Sequence, residues 1–395
     1  MTTLRARPHS GAALERPTLG QWLAVAAVAL GVFVVMTAEI LPVGLLTPIA
    51  GDLGVSDGTA GLMLTVPGLV AAVAAPLSTV LTGRADRRLV LLGLAVLVAV
   101  ANLAAALADG IAVMLAARVL VGAAIGAFWS VAGGIAVRLV PPAYVPRATA
   151  AIYGGIGAAT VLGVPAGTFL GDLLGWRASL AALGALALVA LAAIAAWVPR
   201  LPSTGTVRFA ALPRLLRDSA GVRRGLALTF LIVAGHFVAY TYISPILAAG
   251  GAGTGRVGAL LLVFGVAALI ATFAAGALIG RRLRGTLIGL SVAMSLAMVL
   301  MAVAVGDLFS AAAVLVLWGA GYGLVSPAVQ TWYMNAAPGQ TEVATSLNTM
   351  MFNLSIAVGS FTGGVVVDAA APSAVLWIGA LLLVPVAIGV RFART

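Results

Sequence analysis

A chain of 395 residues carries a formal charge of +11, yet only 8% of its residues are charged and 62% are hydrophobic. Soluble domains are roughly 25% charged, so this composition cannot cover a globular surface with polar groups, and water is excluded as the chain's main solvent. Zero cysteines exclude disulfides, thiolate metal sites and cysteine nucleophiles, and two histidines, His9 and His236, are too few and too far apart for zinc. No metal and no cofactor are expected.

The first 20 residues are polar and show no cleavage-type motif, so 1–20 reads as a cytoplasmic tail and the apolar run after it as a retained helix. A helix needs about 20 apolar residues to cross ~30 Å of hydrocarbon, and helices satisfy their own backbone there. Runs of that length predict spans near 21–46, 60–81, 89–108, 110–137, 148–171, 178–198, 225–248, 258–280, 286–305, 309–335, 344–367 and 374–391. Turn residues such as Gly54, Gly58, Pro141, Pro142 and Pro146 mark the linkers. One long polar stretch divides six spans from six. This predicts an N-terminal six-helix bundle at 21–198, a cytoplasmic linker at 199–224, a C-terminal six-helix bundle at 225–391 and a cytoplasmic tail at 392–395. The fold class expected is an all-α membrane protein, with 12 transmembrane helices in two pseudo-symmetric six-helix bundles. A weak repeat supports the division: Leu81 to Arg88 reads Leu-Thr-Gly-Arg-Ala-Asp-Arg-Arg, and Leu278 to Gly285 reads Leu-Ile-Gly-Arg-Arg-Leu-Arg-Gly.

All 22 basic residues are arginine, and that usage, with abundant Ala, Gly and Val, points to a high-GC bacterial genome. With the N-terminus inside, 19 of the arginines fall on the cytoplasmic side, Arg177 and Arg256 fall outside, and Arg118 lies within a span. Moving arginine across a bilayer during insertion is unfavourable, so the asymmetry orients the chain with both termini cytoplasmic. It also explains the net charge without nucleic acid. The partners expected are lipid, protons and a small-molecule substrate, with the chain acting as a monomer in the bacterial inner membrane.

Over essentially its whole length the chain resembles the major facilitator superfamily. The loop carrying Asp86, Arg87 and Arg88 is similar to a shortened form of the family's signature between helices 2 and 3, and the resemblance implies a conformational latch there. Thr82 or Gly83 must stand for the leading glycine, and the later Gly-Arg-Lys portion is missing. Arg118-Val-Leu-Val-Gly122 in the fourth span resembles the Arg-x-x-x-Gly signature, with Val121 where glutamine is usual. Gly163, Pro165 and Gly167 look like a degenerate glycine-proline motif of antiporters. With Gly171 the glycines form a stripe for close helix packing, where Pro165 invites a kink.

Thr37 to Pro48, Gly126 to Trp129, Arg138 to Pro142 and His236 to Pro245 resemble the proton-coupled drug, sugar and nucleoside efflux branch, in particular purine-ribonucleoside and arabinose efflux permeases. The resemblance implies export by alternating access, with helices 1, 4, 7 and 10 lining a central cavity.

Ionisable groups inside a bilayer cost on the order of 2.5–3.5 kcal/mol each, so Glu39, Arg118 and His236 need a cavity or a partner. Counted from the predicted span ends, Glu39 and Arg118 both lie ~10–12 Å below the outer surface, at depths where they can meet. Glu39 is therefore the candidate proton-coupling carboxylate, with Arg118 as its switchable partner. A solvated acid beside a structural arginine is the alternative. Candidates for substrate contact are Trp129, His236, Tyr240, Tyr322, Gln330 and Asn348; Asn353 is a weaker one. For His236 simple packing is the competing reading.

The function expected is secondary transport, and three other functions compete with it. Proton-linked uptake uses the same fold. An integral-membrane enzyme needs clustered acids or a His/Asp cluster, and the 11 acids here are scattered. A receptor needs a larger soluble loop than this chain has.

Overall fold

The computed structural model describes residues 16–81, 85–132, 135–202, 211–304 and 306–392. Twelve of its helices are long and apolar enough to cross a membrane: α1 (Leu19–Leu53), α2 (Asp57–Ser78), α3 (Arg87–Ala106), α4 (Ile111–Phe128), α5 (Pro142–Leu174), α6 (Trp176–Trp197), α7 (Ala220–Tyr240), α8 (Gly255–Gly280), α9 (Arg282–Val303), α10 (Leu308–Ala336), α11 (Val343–Ala369) and α12 (Ala374–Arg391). No strand occurs among the described residues. The chain is an all-α, multi-pass membrane protein with six spans in each half.

Local chemistry sets the ends of these helices. Thr18 and Gln21 form a reciprocal capping box ahead of α1, and Gly54, at φ +64°, ends the helix in the left-handed conformation. Asp307 caps α10 by accepting the N–H groups of Phe309 and Ser310, which hold its carboxylate below the usual range.

Proline explains most departures from the expected spans. The first helix runs through Pro42 and Pro48 to Leu53, beyond the expected end near Leu46. In a packed membrane helix a neighbour can satisfy the carbonyl that proline frees, so the helix continues. Elsewhere the same residue breaks it. α7 stops at Tyr240 and a short helix, Ile243–Ala249, restarts ahead of Pro245, whose missing N–H would have served Thr241. α10 is interrupted at Leu324, three residues before Pro327, and the Gly323 carbonyl left free lies 2.9 Å from Thr272 Oγ1 on α8. In α5 a π-helical turn at Ala159–Gly163 absorbs the defect just ahead of Pro165. α8 and α9, expected as separate spans with a loop, run together across a kink at Arg282, where φ −154° and ψ 70° leave the helical region.

In the first half α1 packs on α5 and α6, α3 on α4 and α6, and α2 on α4; in the second, α7 packs on α11 and α12, and α10 on α8 and α9. The halves meet along two seams, α2 with α11 and α5 with α8. One end of the first seam is stitched by Asp368 on α11, which accepts from Ser56 Oγ at 2.7 Å and from the Gly58 amide at 2.9 Å. One helix thus caps the first turn of a helix in the other half. Asp368→Ala should free that turn and loosen the seam at this end. The check is hydrogen exchange at the Gly58 amide, which should be faster in the variant than in the wild type.

Candidate functional site

Pro42 has no N–H for the Ala38 carbonyl four residues earlier, so α1 carries a free acceptor in its interior. Arg118 on α4 takes it, donating from Nη1 at 2.7 Å. Its side chain is fully buried, and Nε and Nη2 have no protein acceptor within hydrogen-bond distance. Glu39 is the next residue on α1 and is half-buried. The expected Glu39–Arg118 ion pair is not formed: the guanidinium binds the backbone one residue before the carboxylate. Instead Glu39 lies within Coulombic range of Tyr322 on α10. The depth argument needs a matching correction. Glu39 is 14 residues, ~21 Å, from the observed end of α1, whereas Arg118 is seven residues, ~10 Å, into α4. The two levels agree only because α1 projects past the start of α4.

In the second half, α7, α8 and α10 build an aromatic nest around His236. One turn separates His236 from Tyr240 on α7, and one turn separates Trp318 from Tyr322 on α10, so each pair lies on one helix face. The imidazole stacks on Tyr322 with ring centroids 3.9 Å apart and on Tyr240 at 4.7 Å, while Trp318 meets it edge-on at 5.8 Å. Phe264 of α8 packs 4.7 Å from Tyr240 and 6.0 Å from His236. Trp318 Nε1–H donates to His236 Nδ1 at 3.1 Å. Every member is buried except Tyr322, which is half-buried.

Sequence reasoning placed His236, Tyr240 and Tyr322 together and missed Trp318 and Phe264. The four-residue spacing of Trp318 and Tyr322 was the available signal. Gln330 and Asn348 are not brought to the nest: Gln330 donates to Thr345 on α11 at 2.9 Å, and Asn348 accepts from Thr229 on α7 at 2.9 Å. The break at Leu324 removes the single face on which Tyr322 and Gln330 were expected to lie together. Asn353 donates to the Thr349 carbonyl of its own helix. Trp129 sits on α4's helical extension to Ala132, but its side chain lies outside the described residues.

The glycine stripe of α5 faces α1. Side-chain atoms placed on Gly163, Gly167 and Gly171 would strike Thr37, Leu41 and Leu45 respectively, so three successive turns of each helix are in register.

Asp86 precedes α3, and its carboxylate accepts the backbone N–H of Leu201 at 2.8 Å and of Arg88 at 2.9 Å. The amide of Arg87 donates back to the Leu201 carbonyl at 2.9 Å, and Arg88 Nη2 donates to Ala195 at 2.6 Å. These bonds tie the loop to the end of α6 and the start of the linker. The Leu201 amide, above all, holds the Asp86 carboxylate below its ordinary range, with Arg138 and Arg200 adding to the effect. A depressed carboxylate stabilises its bonded state above the ordinary carboxylate range and loses that contribution as pH falls through the depressed value. Hydrogen exchange at the Leu201 amide, corrected for its intrinsic rate, should accelerate on acidification; in Asp86→Asn it should be fast already at neutral pH.

Twelve spans in two halves, a buried guanidinium beside a half-buried acid, and an aromatic nest facing them define a membrane transporter. The chain belongs to the Major Facilitator Superfamily, whose profile matches residues 28–360. It is 31% identical over 369 residues to the purine ribonucleoside efflux pump NepI of Escherichia coli strain K12, covering 93% of this chain and 92% of that one. The protein of the same name from Shigella dysenteriae is likewise 31% identical, with 93% of each chain covered. The fold is similar to that of the nucleoside transporter NupG, at TM-score 0.73 and 12% identity over 93% of this chain and 99% of that one. It is similar also to a POT family transporter in complex with 5-aminolevulinic acid, at TM-score 0.75 and 11% identity over 94% and 95% of the two chains.

Proposed function

We propose that this chain is a proton-coupled exporter of nucleoside-class solutes, working as a monomer by alternating access in a bacterial inner membrane with both termini cytoplasmic. The observation that carries the substrate class is the 31% identity, over nearly the full length of both chains, to pumps named for purine ribonucleosides. The aromatic nest suits the same class, because a planar base can stack on Tyr240 or Tyr322. Sugars and amphipathic drugs remain the wider class for the same site.

The arginine asymmetry supports an outer location for the Asp368 stitch, so this end of the α2–α11 seam is closed on the outside. In this reading substrate enters from the cytoplasm and the halves rock. Glu39 then takes a proton from outside and returns it inward. Arg118 serves as the fixed neighbour that keeps α1 and α4 in register beside that acid. Proton-linked uptake is the second reading on the same fold, and direction decides between them.

Inverted membrane vesicles given an imposed proton gradient test both. Accumulation of radiolabelled adenosine, guanosine or inosine inside them, abolished by an uncoupler, is the result expected. Nucleoside leaving vesicles under the same gradient supports uptake, and no gradient-dependent movement overturns both.

A further inference from the structure

Resting on the nucleoside reading of the nest, we propose that Trp318 fixes His236 as a hydrogen-bond donor through Nε2, and that this N–H selects a planar substrate carrying an acceptor atom in its ring system. The argument begins with what an indole can do. Its N–H only donates, so the His236 Nδ1 it reaches at 3.1 Å presents a lone pair and carries no proton. A neutral imidazole holds one N–H, which is therefore on Nε2. That nitrogen is fully buried and has no protein acceptor within hydrogen-bond distance.

An unmet N–H in the interior is unfavourable, so the arrangement makes physical sense if an acceptor arrives during the working cycle. Stacking limits what the acceptor belongs to. His236 is sandwiched between Tyr240 and Tyr322, with Trp318 and Phe264 around it, so a ligand reaching Nε2 enters a slot walled by aromatic faces. Tyr322 is the half-buried wall, and so the side of the slot nearest open space. A heterocycle with an unprotonated ring nitrogen or a carbonyl oxygen fits both demands; an aliphatic amine fits neither.

Two measurements decide this on purified protein in nanodiscs. Nitrogen-15 labelling of the two histidines, His9 and His236, with His9→Gln for assignment, reads the tautomer directly. Wild type should show His236 protonated on Nε2 and bare on Nδ1, and Trp318→Phe should show a mixture. A proton on Nδ1 in wild type overturns the proposal whatever the substrate.

Binding is then compared for adenosine, guanosine and inosine and for the 3-deaza and 7-deaza analogues of each, which lack one ring acceptor apiece. One deaza position should weaken binding about tenfold in wild type. His236→Gln, which keeps a donor near Nε2, should retain that discrimination, and His236→Ala should lose it. Nucleosides that bind wild type without regard to either nitrogen or to His236→Ala overturn this inference and leave the nucleoside reading intact. Wild type binding none of them overturns the nucleoside reading and the recognition clause together, while the tautomer measurement still decides the Trp318 lock.

Discussion

Glu39→Gln should collapse gradient-driven export to passive leak while leaving nucleoside binding in place. Moving one proton down 100 mV releases ~2.3 kcal/mol, enough to hold roughly a fiftyfold gradient of a neutral solute. An amide accepts hydrogen bonds as the protonated acid does but cannot cycle a proton, so that gradient should fall to unity. The geometry allows this role. Glu39 is half-buried and makes no ion pair, and it lies within Coulombic range of Tyr322, the ring that closes the nest. Counterflow exchange of labelled for unlabelled nucleoside needs no net proton movement and should persist in the variant. Gradient-driven export at the wild-type rate in Glu39→Gln would remove the carboxylate from the coupling mechanism.

Gly323→Ala should be the most damaging of the conservative packing changes. A Cβ at this position would lie 2.0 Å from the Ala268 carbonyl oxygen and 2.8 Å from its carbon, both backbone atoms of α8. No side-chain rotation relieves that collision, so α10 must move away from α8. The move would also separate the Gly323 carbonyl from Thr272 and shift Tyr322 out of its stack on His236. Overpacking of this kind costs about 1–3 kcal/mol. Thermal unfolding of the purified protein should drop by several degrees, and nucleoside binding should weaken in parallel. Gly276→Ala is the control, because a Cβ there meets nothing within 4 Å. Equal stability of the two variants would show that α8 and α10 are not held at the described spacing.

Twelve spans were legible in the sequence because lipid imposes a length and a composition on every crossing. The ends were less legible. α1 outran its expected stop by seven residues, since a run of apolar residues does not tell whether Pro48 terminates a helix or is tolerated by neighbours. The same ambiguity hid the junction of α8 and α9, where arginines that read as a loop are taken up in a kinked helix. The glycine stripe on α5 was readable from its four-residue period; its partner, α1, was not, because the period names a face and not what lies opposite it.

At the site, intramembrane charge singled out Glu39, Arg118 and His236. Their partners could not be read the same way. Arg118 binds a carbonyl, an acceptor that every residue carries, and only Pro42 four residues after Ala38 marks that carbonyl as free. Trp318 and Phe264 were missed because large apolar rings are ordinary in such a sequence, and only the tertiary fold shows that they join Tyr240 and Tyr322 around one imidazole.

The stitch between Asp368 and the start of α2 has a consequence for motion. Its donors, a serine hydroxyl and an amide in a first helical turn, lie where water can replace the carboxylate with little loss. Close helix packing holds each half, as where α8 backs on α10 or α1 on α5, and it also crosses the α2–α11 seam, where Gly58 lies against Gly364. The outer end of that seam is therefore a wet catch on two close-fitting faces: water can release its hydrogen bonds, and the glycines that let the helices approach leave room for them to close again.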